Sequence, residues 1–106
     1  MFDYNAKRWK RKRAYILSRD GYIDRVQSRF GRKIEADTVH HIYPAEEYPE
    51  FAFEDWNLIS VSGKKTHNKC HDRLSNKLTP FGESLKKIAD NKRIQMQKNI
   101  SPPTDN

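Results

Sequence analysis

Four histidines are the residues of this sequence whose types and spacing point most directly to chemistry. His40 and His41 are adjacent, and His67 and His71 stand at positions i and i+4. On a helix this spacing places two side chains on one face, one turn apart, so that His67 and His71 together could bind a divalent metal ion. By themselves they could equally be surface histidines on a polar helix.

The adjacent pair extends this chemistry. A catalytic metal site typically has three protein ligands and keeps open positions for water and substrate. Phosphodiester hydrolysis also needs a base that takes a proton from water, and histidine, with an ordinary pKa of about 6.5, suits that task. The four histidines could therefore divide into three ligands and one base. Neighbours in a regular strand point to opposite faces, so His40 and His41 can serve one site only if the strand bends or ends near Pro44.

The elements that must position these histidines can be predicted from the sequence pattern. We predict a strand at 36–43, an acidic loop at 44–56, a second strand at 57–62 and a helix at 64–75. The first strand carries His40 and His41, and the helix carries His67 and His71. Flanking elements are a basic helix at 5–18, a short helix or irregular connection at 19–35, a helix from Phe81 to about Met96, and a disordered tail at 101–106.

Length and charge limit the class of protein. With 106 residues the chain is expected to form one domain over 1–100, and a net charge of +7 favours nucleic acid as a partner over an anionic membrane, although solubility alone could explain it. No apolar run predicts a membrane span or a secretory signal. Cys70 is the only cysteine, so there is neither an intrachain disulfide nor a CxxC zinc clip, and we expect Cys70 to be a small buried residue in a cytoplasmic protein.

The segments Val39-His40-His41-Ile42, Asn57-Leu58-Ile59 and His67-Asn68-Lys69-Cys70-His71 resemble the HNH endonuclease motif of the ββα-metal superfamily. The match covers about 36–75, and the lead-in at 13–22 is similar to the segment that precedes the motif in small HNH proteins of phages and prophages. The resemblance implies an α+β fold, in which a two-stranded antiparallel hairpin and a helix form the metal-binding core between flanking helices.

The resemblance also implies roles for individual residues. His41 would be the general base, while His40, His67 and His71 would hold one divalent ion, which could be magnesium, manganese, nickel or zinc. His71 could contact phosphate instead, because many HNH proteins use fewer protein ligands. Asn57 would brace the hairpin loop and help to set the base, although it could also be an ordinary turn residue at the head of a strand.

One departure from the family concerns structural zinc. Many HNH proteins of this size carry two CxxC pairs, but the corresponding stretches at 21–30 and 60–67 contain no cysteine. We expect packing to hold these segments together, with Tyr22, Val26 and Phe30 as the candidate residues.

DNA is the implied substrate, and basic residues before and around the motif are the candidates for phosphate contacts: Lys10, Arg11, Arg13, Lys64, Lys65, Lys69 and Arg73. Acidic residues at 46–55 could add a metal ligand, but a solvated loop is the simpler interpretation. Some phage proteins of this kind act with the DNA-packaging terminase, which makes terminase a candidate partner in a host cytoplasm.

Other functions stay open at this point. The chain could be a non-catalytic, metal-stabilised DNA-binding module, a nickase that depends on a partner, a nuclease that acts on RNA, or a basic adaptor whose histidines are incidental. Sequence specificity, the physiological metal, the oligomeric state and the choice between nicking and double-strand cutting are not determined by the residues.

Overall fold

Two short strands and four helices form the frame of residues 1–100. The computed structural model describes residues 1–100, with side chains up to 98, so the tail predicted at 101–106 lies outside the described residues. In chain order the elements are α1 Lys7–Arg19, α2 Arg25–Ser28, β1 Thr38–His41, β2 Leu58–Val61, α3 Pro80–Ser84 and α4 Lys86–Ile100, with 3-10 turns at Pro49–Phe51, Asp55–Asn57 and His67–Lys69.

Helix α1 forms because long, unbranched basic residues favour helix and because its apolar residues repeat on one face. Trp9, Ile16 and Leu17 are its buried residues. The helix stops at Asp20, after which Gly21 adopts a φ of +67°, a left-handed conformation that glycine tolerates. The observed bounds agree with the basic helix predicted at 5–18, and the buried face turns Trp9 toward the hairpin.

Strands β1 and β2 form an antiparallel hairpin, which confirms the central element of the predicted fold. His40 pairs with Ile59 and His41 pairs with Leu58, the first residue of β2. Every residue of β2 is buried, because α1 and α2 pack on it and close the hairpin from both sides. Strand β1 ends at His41 rather than continuing to residue 43, and the chain then bends away into the long loop.

The prediction of a helix at 64–75 is wrong. The segment forms only the 3-10 turn His67–Lys69, and the chain then reverses so that His71 pairs with Leu78 in an isolated antiparallel bridge. The reason is local competition for backbone groups. The Asp72 carboxylate accepts hydrogen bonds from the backbone N–H groups of Leu74 and Ser75, and the N–H of Asp72 donates to Lys77.

After this reversal, Thr79 caps helix α3 by accepting a hydrogen bond from the Gly82 N–H, and α3 leads directly into α4. The helix predicted from Phe81 to Met96 is thus present as this pair. Gly82 lies so close to the Cys70 carbonyl oxygen that a side chain would collide with it. Helix α3 therefore packs backbone to backbone against the turn that carries His67 and His71.

Two apolar clusters enclose the hairpin. One contains Ile42, Trp56 and Ile59 together with Ile88 and Ala89 of α4. It also includes Cys70, which is fully buried as expected. The other joins Trp9 and its neighbours on α1 to Val39 and Leu58. Val26 is buried, but Tyr22 and Phe30 are 56% and 65% exposed, so the expectation that these two residues pack the ends of the domain together is wrong. None of the described helices is long and apolar enough to cross a membrane.

Candidate metal centre and active site

Three histidines from separate parts of the fold converge on one point. His40 comes from β1, His67 from the 3-10 turn and His71 from the bridge that follows it. One nitrogen from each ring lies within 4.8 Å of the others. The i, i+4 pair meets without an α-helix, because the single turn between the two residues leaves their ring centroids 5.1 Å apart.

The His40 ring is fully buried, and neither of its nitrogens has a hydrogen-bond partner among the described residues. A buried polar atom without a partner is costly, so this arrangement needs an explanation. Burial, and then the neighbouring His67, His71 and His41, lower the pKa of His40 well below its ordinary value. A neutral imidazole keeps a lone pair for a metal ion, so the donor set fits a divalent cation.

The other two rings are also held as potential ligands. Burial, followed by the nearby His71, lowers the pKa of His67, which keeps that ring neutral near pH 7. The Nδ1 of His71 lies 3.2 Å from the backbone oxygen of Asn76. If Nδ1–H donates to this oxygen, the Nε2 of His71 carries the lone pair, as is usual for a histidine ligand with a supporting hydrogen bond.

His41 lies outside this cluster but beside it. Its side chain lines a cleft together with His67 and His71, which is possible because β1 ends at this residue. The His41 Nε2 lies 3.0 Å from the backbone oxygen of Ala52. Donation of Nε2–H to that oxygen leaves Nδ1 as the atom able to accept a proton. Burial lowers the pKa of His41, and the hydrogen bond to Ala52 opposes this effect in part.

Asn57 braces the loop between the two strands. Its side chain is fully buried, accepts a hydrogen bond from the Tyr43 N–H at 2.7 Å, and donates to the backbone oxygens of Tyr43 and Phe51 at 3.0 and 3.1 Å. Phe51 directly precedes Ala52, whose carbonyl contacts His41. Asn57 is therefore linked to His41 through two consecutive backbone groups of the loop.

The basic residues singled out from the sequence are all exposed, but only some lie near the histidines. Arg13 lines a groove with His41 and His67, and Arg73 lines another with His67 and His71. Lys65 lines a different groove, near Glu35. Lys10, Arg11, Lys64 and Lys69 line none of these grooves, although all four side chains are accessible to a polyanion.

The acidic loop supplies no member of the histidine cluster among the described residues. Glu46 and Glu47 do line the cleft that holds His41, but both are exposed. Asp55 instead forms an ion pair with Lys12, with 2.6 Å between the carboxylate oxygen and Nζ.

Several residues around the site were not predicted from the sequence. Trp9 stacks on His41, Ala52 contributes only its carbonyl, and Asp24 accepts a hydrogen bond from the hydroxyl of Thr66, the residue before His67. An isolated tryptophan on the apolar side of a basic helix was a signal for Trp9, and an aspartate before a short helix was a signal for a cap at Asp24. A backbone carbonyl leaves no signal in the sequence.

No protein-family model matches the sequence, and no curated protein matches it. Among solved structures, the chain is similar to the HNH endonuclease of the deep-sea thermophilic bacteriophage GVE2, in a crystal structure with manganese ion. The two sequences are 23% identical, the TM-score is 0.59, and the similarity covers 86% of this chain and 79% of that one. This chain therefore has the fold of an HNH endonuclease, as its resemblance to that family predicts.

Proposed function

We propose that this protein is a metal-dependent endonuclease that hydrolyses phosphodiester bonds in DNA. The observation that carries the proposal is the cluster of His40, His67 and His71, in which the His40 nitrogens have no hydrogen-bond partner among the described residues, with His41 lining the adjacent cleft. The fold shared with the phage endonuclease supports the same function. We take residues 1–100 as one nuclease domain with its core at 36–75.

In this mechanism His40, His67 and His71 hold one divalent cation. When bound there, the cation supplies Lewis-acid catalysis and a template for the phosphate. All three donors are imidazole nitrogens, which favour a transition-metal ion such as nickel or zinc over magnesium. The phage protein of the same fold was crystallised with manganese.

The water is activated by the side chain of His41. Its Nδ1 takes the proton as the water attacks phosphorus, and the Ala52 carbonyl stabilises the imidazolium through Nε2–H. The bond between phosphorus and the leaving 3′ oxygen breaks in the same step, and that oxygen takes a proton from solvent. Asn57 keeps the loop that presents this carbonyl in place. Arg13 and Arg73 line two grooves that both include His67, and in this mechanism they contact backbone phosphates and orient the strand.

We also propose a biological setting for this nuclease. The fold of the phage enzyme and the resemblance of the lead-in segment support a phage or prophage protein that acts in the host cytoplasm. Terminase is a candidate partner, and the alternative form of this function is a nickase that depends on a partner.

A plasmid-cleavage assay tests the proposal. Purified protein is incubated with supercoiled DNA in EDTA and then with magnesium, manganese, nickel or zinc, beside the variant His41→Ala. We expect metal-dependent nicking that disappears in the variant, while the variant still binds the ion in calorimetry. Cleavage by His41→Ala at the wild-type rate would refute the assignment of His41 as the general base. Intact DNA binding without cleavage under any metal favours the binding module.

A further inference from the structure

Asp24 is a fully buried carboxylate whose two oxygens each accept two hydrogen bonds. One oxygen accepts from the backbone N–H groups of Val26 and Gln27 at 2.9 and 2.8 Å and caps helix α2. The other accepts from the Ser62 N–H at 2.7 Å and from the Thr66 hydroxyl. A carboxylate can be buried at this depth because donors surround it.

These bonds join two segments that are far apart in the chain. Helix α2 precedes β1, whereas Ser62 and Thr66 follow β2 and lead into His67. Thr66 is fully buried, and its hydroxyl also accepts a hydrogen bond from the Gln27 side chain at 3.1 Å. The turn is closed on itself as well, since the N–H groups of Thr66 and His67 both donate to the Ser62 oxygen. The backbone directly before His67 is thus fixed from two sides.

The same two stretches, 21–30 and 60–67, are those in which many HNH proteins carry CxxC pairs. Apolar packing does not replace those pairs at Tyr22 and Phe30, because both side chains are largely exposed. Hydrogen bonds to one carboxylate connect the stretches here, and they need no ion.

We propose that Asp24 is a positioning residue that sets the place of His67 in the metal centre by anchoring Thr66. This inference rests on the proposed metal-binding function. It also implies that removal of the bound ion leaves the turn at 62–67 in place, because the anchor consists of protein groups alone.

Matched variants test this role. Asp24→Asn and Thr66→Val remove acceptor and donor capacity from the anchor, while Thr66→Ser keeps the hydroxyl. Asp20→Asn is the control, since the carboxylate of the buried Asp20 accepts hydrogen bonds from the Ser60 N–H of β2 and from Arg19, and not from the turn before His67 among the described residues. The measurements are Mn²⁺ affinity by calorimetry and amide hydrogen exchange of the folded protein in EDTA.

We expect Asp24→Asn and Thr66→Val to weaken Mn²⁺ binding about tenfold, as the loss of a group that supports a ligand usually does. Exchange should rise at 62–71 more than in the rest of the chain, whereas Thr66→Ser should leave both quantities near those of wild type. Asp20→Asn should leave the Mn²⁺ affinity near that of wild type and should not raise exchange at 62–71 above the rise that its lower global stability causes elsewhere. Equal effects of Asp24→Asn and Asp20→Asn would show general destabilisation and overturn the proposal. If Asp24→Asn does not fold, unchanged affinity and exchange in Thr66→Val would overturn it.

The two proposals fail in different ways. A wild-type protein that binds no Mn²⁺ refutes the proposed metal site and, with it, the effect of Asp24 on ion binding. Hydrogen exchange in EDTA would still show whether Asp24 anchors the turn at 62–67, because that measurement needs no ion.

Discussion

The indole of Trp9 stacks on the imidazole of His41, with 4.7 Å between the ring centroids and 24° between the ring planes. The edge of Phe2 completes the enclosure, with its centroid 5.0 Å from that of His41. Helix α1 therefore has a second role besides its basic surface, because its Trp9 side chain packs against the imidazole of the proposed base, His41. The Ala52 carbonyl fixes the same ring at Nε2.

Replacing Trp9 with alanine should lower kcat for DNA cleavage about 10-fold to 100-fold, since a loosely held base is misaligned with the attacking water. Trp9→Phe keeps an aromatic face and should retain most of the activity. The measurement is the kcat and KM of both variants below their melting temperatures. A change confined to KM would show that Trp9 serves DNA binding rather than the base.

Loss of a proposed ligand should weaken ion binding without unfolding the chain. We expect His40→Ala and His67→Ala to raise the Kd for Mn²⁺ at least tenfold, which corresponds to about 1.4 kcal/mol. Isothermal titration calorimetry measures the affinity, and His41→Ala is the matched control because it should bind normally. Wild-type affinity in the two ligand variants would contradict their assignment.

Binding of the ion should stabilise the fold, because the ligands converge only in the native state. At a free ion concentration of about 100 times Kd the gain is about 2.7 kcal/mol. For a chain of this size the melting temperature should rise by roughly 10 °C or more. Thermal unfolding followed by circular dichroism, in EDTA and in Mn²⁺, measures the shift. An equal shift in His40→Ala would place the ion elsewhere.

The contribution of Asp20 to stability should depend on pH. Burial alone would raise the pKa of Asp20, but the hydrogen bond and charge of Arg19 and the hydrogen bonds from Ser60 outweigh it, so that the pKa lies below 3.8. A carboxyl whose pKa is lower in the folded state stabilises the protein above its unfolded pKa and loses that effect as pH falls through its folded pKa.

Asp20→Asn should therefore be less stable than wild type by about 1.5 to 3 kcal/mol at pH 6, as expected for hydrogen bonds to a charged group. The difference should shrink progressively below about pH 4. Urea unfolding of both proteins between pH 6 and pH 3 measures it, and a difference that stays constant over this range would argue against the ionised Asp20.

Arg13 should contribute one phosphate contact to DNA binding. Its guanidinium donates to the backbone oxygen of Asp37 at 2.6 Å, which holds it at the groove that it shares with His41 and His67. Arg13→Gln should reduce the slope of log K against log salt by about one. Fluorescence anisotropy at several salt concentrations measures this slope, and a weaker affinity with an unchanged slope would exclude a phosphate contact.

The hairpin could be predicted from the sequence because residues such as Thr38, Val39 and Ile42 favour a strand and because 57–62 alternates in part. The histidines that we propose as metal ligands also stand in a distinctive order. The conformation of 64–75 could not be predicted. It depends on Asp72, which accepts hydrogen bonds from nearby backbone N–H groups, and on Asp24, which holds Thr66 from another part of the chain. Such tertiary partners override a helical pattern.

The surroundings of His41 were equally beyond prediction. Their geometry depends on the backbone carbonyl of Ala52, which follows the Phe51 carbonyl that accepts a hydrogen bond from Asn57. The failed expectation for Tyr22 and Phe30 has a related cause, because apolar residue type alone does not reveal that a buried carboxylate already connects the two segments.

The unpartnered nitrogens of His40 have a consequence for directed evolution of this protein. A leucine at this position would remove two unsatisfied polar atoms from the core, so that selection for heat resistance in the presence of a chelator should favour apolar residues at position 40. The variants that survive such a screen would be the ones that can no longer cut DNA. If His40 is the ligand that we propose, thermostability and activity are opposed at a single buried side chain, and a stabilised enzyme would have to be sought with the ion present throughout.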